Sequence, residues 1–338
     1  MNLLLPGRLT PDAAVGVVSP SYPSAAHHPR RLARGVAQLE RLGFPVVFGA
    51  HAREQAGYIS APARDRAADL HDLFRDPTVG AVIAAIGGDH SNQLLPYLDF
   101  DLIRAHPKIF LGFSDNTVLC CAMYARAGLV TFYGPALMTE IAEFPEMPAF
   151  SRDHMLRVLC QPAPAGPLPV SPWWTDEFLD WSTHADESRP RARTPHPGWD
   201  WVRPGTGCGP LVGGCLESLE HLRGTPYWPD LAGAVLFIET SEEAPSPQTV
   251  DALLMDYENM GVFAGLQGLL VGIPYAYSAE DRAGLREVLL QRTAGFSFPT
   301  AAGLNFGHTS PTLTLPIGVR AELDSRANRI AVLDPAVR

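Results

Sequence analysis

Between residues 13 and 160, short and nearly continuous apolar runs alternate with segments whose apolar residues recur at helical spacing. "AAVGVVSPS", "FPVVFG", "GAVIAAIGG", "KIFLGF" and "LVTFYG" read as buried strands. Helices are predicted over 29–42, 62–75, 92–98, 116–127 and 149–160. Strands that are apolar on both faces and separated by helices imply a parallel sheet covered on both sides. From Gly209 a second unit follows, with helices over 215–223, 247–260 and 279–292. Its strands are "AVLFIE", "GLLVG" and "TLTLPIG", closed by a hairpin of "RAELD" against "RIAVLD". The expected fold class is α/β: an N-terminal parallel-sheet domain over 1–160 and a smaller mixed α/β domain over 206–338.

The stretch between them differs in kind. Residues 161–205 hold nine prolines and five of the six tryptophans, Trp173, Trp174, Trp181, Trp199 and Trp201. A flexible linker is rich in Gly and Ser instead. So much aromatic surface must pack on something or hold a ligand.

Composition narrows the partners. The 338 residues are 46% hydrophobic and 18% charged, enough for a full core, and the net charge of −10 disfavours nucleic acid and anionic membrane surfaces. The apolar patch of "MNLLLPGRLTPD" is too short for a signal peptide and is interrupted by Pro6. No run reaches the length of a membrane span. The five cysteines form no CxxC pair, and adjacent Cys120 and Cys121 read as small core residues. A reduced, cytoplasmic setting is the simplest expectation, with no metal and no cofactor.

Candidate chemistry starts at "GFSDN", where Ser114 sits on an abrupt strand-to-helix turn. Such a turn lifts a side chain above the sheet edge, beside the free N–H groups of the helix start. An N-cap role is the plainer alternative, and the second glycine of G-x-S-x-G is missing. "AAIGGDHSN" is a second strand ending in a tight polar turn, with Gly87 and Gly88 open to a ligand and a Gly88 N–H available to an oxyanion. Its bland reading is a turn into a helix capped by Ser91. Both turns lie at the carboxyl ends of strands, where ligands of open α/β sheets bind.

A serine nucleophile needs a base, usually histidine. Of eleven histidines, His27, His28, His51, His71, His106, His154 and His221 sit in helical or surface contexts and are expected to be solvated. His308 enters a strand from a Gly-flanked turn; His90, beside the glycine turn, is a rival or a substrate contact. Glu239 closes the apolar strand "AVLFIE" and is the candidate orienting carboxylate, whereas Glu242 and Glu243 read as solvated turn residues. "GTGCGPLVGG" at 205–214 lacks a preceding strand and is a poor dinucleotide fingerprint.

Together "GFSDNT", "FIETSEE" and "NFGHTSP" resemble the signature segments of the LD-carboxypeptidase family of serine peptidases, in family order. The resemblance implies a Ser114–His308–Glu239 triad, with Gly88 and Asp115 N–H groups as oxyanion donors. It also implies a homodimer. Within the family, Ile86 stands where murein-trimming members carry an arginine. "GGDHSN", "WTDEFLDW" and "ETSEE" look more like the microcin C immunity branch, which cleaves an acidic amino acid from a modified nucleotide. That branch implies a small peptide or aminoacyl-nucleotide substrate, contacted by Gly87, Asp89, His90 and a stacking tryptophan, Trp181 first and Trp174 second. The remaining three tryptophans are expected to pack over the domain junction. Cys215 stands where the family has an asparagine.

Overall fold

The computed structural model describes residues 3–338. Two sheets organise it. The first runs in the order Leu315–Ile317, Thr131–Tyr133, Ile109–Gly112, Val79–Ala84, Ala14–Val18, Val46–Phe48. Its pairings are parallel except at Leu315–Ile317, which is antiparallel to Thr131–Tyr133. The four strands from Ala14–Val18 to Thr131–Tyr133 are buried almost throughout, as continuous apolar runs require when helices cover both faces. Helices Pro29–Arg41, Ala63–Arg75, Thr117–Ala127 and Ala149–Cys160 stand where the helical spacing puts them.

The second sheet has eight strands, in the order Pro164–Pro167, Arg329–Pro335, Arg320–Asp324, Thr206–Cys215, Val235–Glu239, Gly268–Gly272, Thr300–Leu304, Asp200–Arg203. Four of them, from Thr206–Cys215 to Thr300–Leu304, are mutually parallel, and the flanks are antiparallel.

Three features depart from the sequence pattern. The glycine-rich run 205–214 is the greater part of a ten-residue central strand, Thr206–Cys215. Its glycines hide the alternation of a strand because neighbouring backbone fills the space beside Gly207, Gly209 and Gly213, and the Thr117 side chain that beside Gly214. "TLTLPIG" contributes Leu315–Ile317 to the first sheet, so the chain crosses back into the N-terminal lobe after His308. The segment 92–98 is a 3-10 turn, Ser91–Tyr97, and the α-helix follows at Phe100–Ala105, capped by Asp99.

The Pro/Trp segment is structured at both ends, giving edge strands Pro164–Pro167 and Asp200–Arg203 to the second sheet. Its middle lies on the first lobe, where buried Asp186 pairs with Arg31 and Arg34 of helix Pro29–Arg41. Thr175 and Ser310 exchange backbone hydrogen bonds of 2.8 and 2.9 Å. The segment is a strap across both lobes.

The lobes meet where helix Thr117–Ala127 crosses the end of Thr206–Cys215. The Cys215 N–H donates to Thr117 Oγ1 at 2.9 Å, and Cys121 Sγ lies 3.6 Å from the Gly213 carbonyl oxygen. A Cβ on Gly214 would sit 2.4 Å from Thr117 Oγ1, so only glycine admits this approach. Gly214→Ala is expected to cost about 1–3 kcal/mol of stability by overpacking, read as a lower urea midpoint. Gly7→Ala, where a Cβ meets nothing within 4 Å, is the control and should leave the midpoint in place.

Candidate active site

Strand Ile109–Gly112 ends at Phe113, still extended, and the chain turns at once into helix at Ser114. Ser114 adopts φ +59°, a left-handed conformation costly for a residue with a Cβ. Two contacts hold the turn. The Ser114 N–H donates to Tyr133 Oη at 3.2 Å. The Asp115 carboxylate accepts the N–H groups of His90 and Ser91 at 3.0 and 2.9 Å, tying the serine turn to the glycine turn. A Cβ on Gly87 would sit 2.8 Å from Ser114 Oγ, so glycine is required for the two turns to approach. Among the described residues neither the Gly88 nor the Asp115 N–H finds an acceptor. Ser91 does not cap a helix; its hydroxyl bonds Asp115 at 2.8 Å.

Across the seam, His308 Nε2 lies 3.0 Å from Ser114 Oγ. Its Nδ1 lies 2.8 Å from Glu239 Oε2, and its own N–H reaches the same oxygen at 3.3 Å. Glu239, at the end of Val235–Glu239, is 1% exposed. Its Oε1 accepts the Tyr133 hydroxyl, so one phenol links the carboxylate to the serine backbone. Burial and then Glu239 raise the Tyr133 pKa well above that of free tyrosine, which keeps its hydroxyl a donor. Burial raises the Glu239 carboxyl. For His308, burial opposes the charged ring, but Glu239 and Glu242 outweigh it and hold its pKa well above the ordinary value.

A cavity of about 460 Å³ opens onto Ser114 and His308. Gly87, Gly88 and Asp89 form one wall, and Trp181 with Phe178 forms an aromatic corner. Arg31 lies 4.1 Å from the centre of the Trp181 ring, and Arg191 pairs with Glu143 at 2.6 Å. These are the two arginines that face the cavity.

Several expectations need correcting. Trp174 is buried and lines a different cavity, near Arg282, because the strap turns it away from Ser114. The His90 ring packs on Tyr58, 4.6 Å between centres, and only its backbone serves the site. His154 is not solvated but buried; its Nδ1 accepts the Thr314 N–H, and burial pulls its pKa down to about 4. His28 lines the cavity beside Trp181. Glu242 is no simple solvated turn residue, since its Oε2 lies 2.8 Å from His308 Nε2. The pattern also passes over Tyr133, although a tyrosine at the carboxyl end of a buried strand occupies the position where such sites form.

Family models of the LD-carboxypeptidase N-terminal and C-terminal domains match residues 15–134 and 208–323. The chain belongs to the LD-carboxypeptidase family and is a serine peptidase by class. It is 32% identical to the microcin C7 self-immunity protein of Escherichia coli, over 98% of this chain and 96% of that one. It is 33% identical to the probable murein peptide carboxypeptidase of Bacillus subtilis, over 98% and 95% of the two chains. A solved structure of the microcin C7 self-immunity protein in complex with aspartyl sulfamoyl adenosine superposes with a TM-score of 0.92 at 31% identity, covering 99% of this chain and all of that one.

The strained turn yields a test that needs no substrate. Ser114→Ala and Ser114→Gly both delete the hydroxyl, but only glycine relieves the left-handed backbone. The glycine variant is expected to be about 1 kcal/mol more stable than the alanine variant, measured as the difference between their urea unfolding free energies.

Proposed function

We propose that this protein is a serine carboxypeptidase-type amide hydrolase in which Ser114 is the nucleophile, His308 the general base and Glu239 its orienting partner. The observation that carries the reading is the unbroken chain of contacts from Ser114 Oγ through the imidazole to a buried carboxylate, opening onto one cavity. The Ser114 proton passes to His308 Nε2 as Oγ bonds to the carbonyl carbon, and the carbonyl electron pair moves onto oxygen. The Gly88 and Asp115 N–H groups receive that charge, each worth roughly 3 kcal/mol in the transition state. Collapse breaks the C–N bond, and His308 returns the proton to the leaving nitrogen. Water, deprotonated by the same imidazole, then releases the acyl group.

For substrate, the favoured reading is an acidic aminoacyl group joined to a nucleotide. The solved relative bound to aspartyl sulfamoyl adenosine supports it, as does the Trp181–Phe178 corner, which offers aromatic surface to a base. The second reading, release of D-alanine from a peptidoglycan tetrapeptide, is supported by the likeness to the murein peptide carboxypeptidase. A third, a ligand-binding protein without turnover, gains nothing from the triad contacts. The cytoplasmic setting suggested by the cysteines and the homodimer implied by the family resemblance belong to the same proposal.

Incubation with aspartyl sulfamoyl adenosine and, separately, with a muropeptide tetrapeptide distinguishes the readings. Cleavage of the first is expected; D-alanine release alone reverses the choice of substrate, and no cleavage of either favours the binder. Ser114→Ala is expected to lose about a thousandfold or more in turnover. Stacking is worth roughly 1–3 kcal/mol per base, so Trp181→Ala should raise KM for the nucleotide-linked substrate about 5- to 150-fold. Peptide cleavage should not respond.

A further inference from the structure

His308 Nε2, the nitrogen that must take the serine proton, has two neighbours. Ser114 Oγ lies at 3.0 Å and Glu242 Oε2 at 2.8 Å. The Nε2–H geometry fits a hydrogen bond to Ser114 Oγ, while Glu242 Oε2 lies closer but off the N–H direction and pairs with the ring through its charge. Glu239 at Nδ1 and Glu242 beside Nε2 place the ring between two carboxylates, which favour its imidazolium form. Such a ring has no lone pair to offer Ser114.

Glu242 differs from Glu239 in its exposure. Glu239 is fully buried, but the Glu242 side chain is 61% exposed on the loop that follows it. Its neighbour Ser241 is anchored, N–H and hydroxyl both donating to Glu217 Oε1 at 3.0 and 2.7 Å, so the backbone beside Glu242 is held while its side chain borders solvent. Glu242 also lines the cavity, where an occupant must contend with it. Among the described residues His308 is the only cation-forming group paired with it.

We propose that Glu242 is a removable cap on the general base: it holds the empty enzyme with His308 protonated and Ser114 unactivated, and a seated substrate displaces it. Glu242 is thus a positioning residue, acting on the serine through the imidazole. The proposal rests on the triad reading above. The shifts agree in direction, since the His308 hydrogen bond pulls the Glu242 carboxyl down to about 2 while both carboxylates hold the histidine up. The other titratable groups nearby act on the carboxylates rather than on the ring. Tyr133, Cys215 and Glu217 lie around Glu239, and Tyr275 faces Glu242. Asp115 is turned to the His90 and Ser91 amides.

The sign follows directly. Removing the Glu242 charge makes the imidazolium less stable, lowers the His308 pKa in the empty enzyme, and frees the base at lower pH. Diisopropyl fluorophosphate reads this without a substrate, because it phosphorylates a serine, with loss of fluoride, only as fast as the base can activate it. The rate of labelling of Ser114, followed by mass spectrometry against pH, is expected to rise through the His308 pKa. In Glu242→Gln and Glu242→Ala that rise should move to lower pH by about one unit, making labelling about tenfold faster on the acid side. Glu243→Gln, one residue on, should leave it unmoved. A limb that stays put or moves to higher pH in both Glu242 variants overturns the cap and leaves the nucleophile reading intact. Wild type that labels no faster than Ser114→Ala at any pH overturns the nucleophile reading, and the cap with it.

Discussion

The arrangement depends on one buried carboxylate. Glu239 sits at the end of a central strand where solvent cannot reach it, and an ionised carboxylate there is costly unless its oxygens are matched by donors. The donors come from both sheets. Tyr133 ends a strand of the first, and His308 supplies its ring and its backbone N–H from the turn after Thr300–Leu304 of the second. Satisfying Glu239 therefore requires the lobes to close on each other. That closure brings the imidazole to Ser114.

Tyr133 makes this coupling tighter than a three-residue description suggests. Its hydroxyl donates a hydrogen bond to Glu239 and accepts the Ser114 N–H, so the carboxylate and the serine turn share a fixed point. Asp115 does the same on the other side, joining the serine turn to the glycine turn through two backbone amides. The strained φ at Ser114 is thus held from two directions. The strained geometry is maintained by hydrogen bonds from neighbouring elements.

The strap between the lobes closes the cavity on a third side. Its Asp186 is neutralised by Arg31 and Arg34, and Arg31 in turn lies against the Trp181 ring. Trp181 is the tryptophan of the strap that reaches the site, with an arginine behind it fixing its plane. Trp173 lies against Arg193, and the Trp201 indole N–H bonds Asn328, so these belong to the packing of the second lobe and the strap. Prolines make such a strap inexpensive to order, since much of its backbone freedom is absent before folding.

What the sequence alone determined is local. Apolar runs set the strands, helical spacing set the long helices, and the abrupt change of period at Ser114 marked a turn at a strand's carboxyl end. Glu239 was legible for the same reason, a carboxylate directly after five apolar residues. His308 stood out from ten other histidines through its Gly-flanked turn into a strand, with His90 as a rival, and then through its resemblance to a family segment. Tertiary structure alone decided which strand ends meet. Ser114 and His308 are 194 positions apart, and His308 and Glu239 are 69 apart. Hydrogen bonds weaken within fractions of an ångström, while residue patterns carry no distance information at that range. For that reason Tyr133, the crossing strand Leu315–Ile317, the turning away of Trp174 and the reach of Glu242 to the imidazole became visible only in the folded chain.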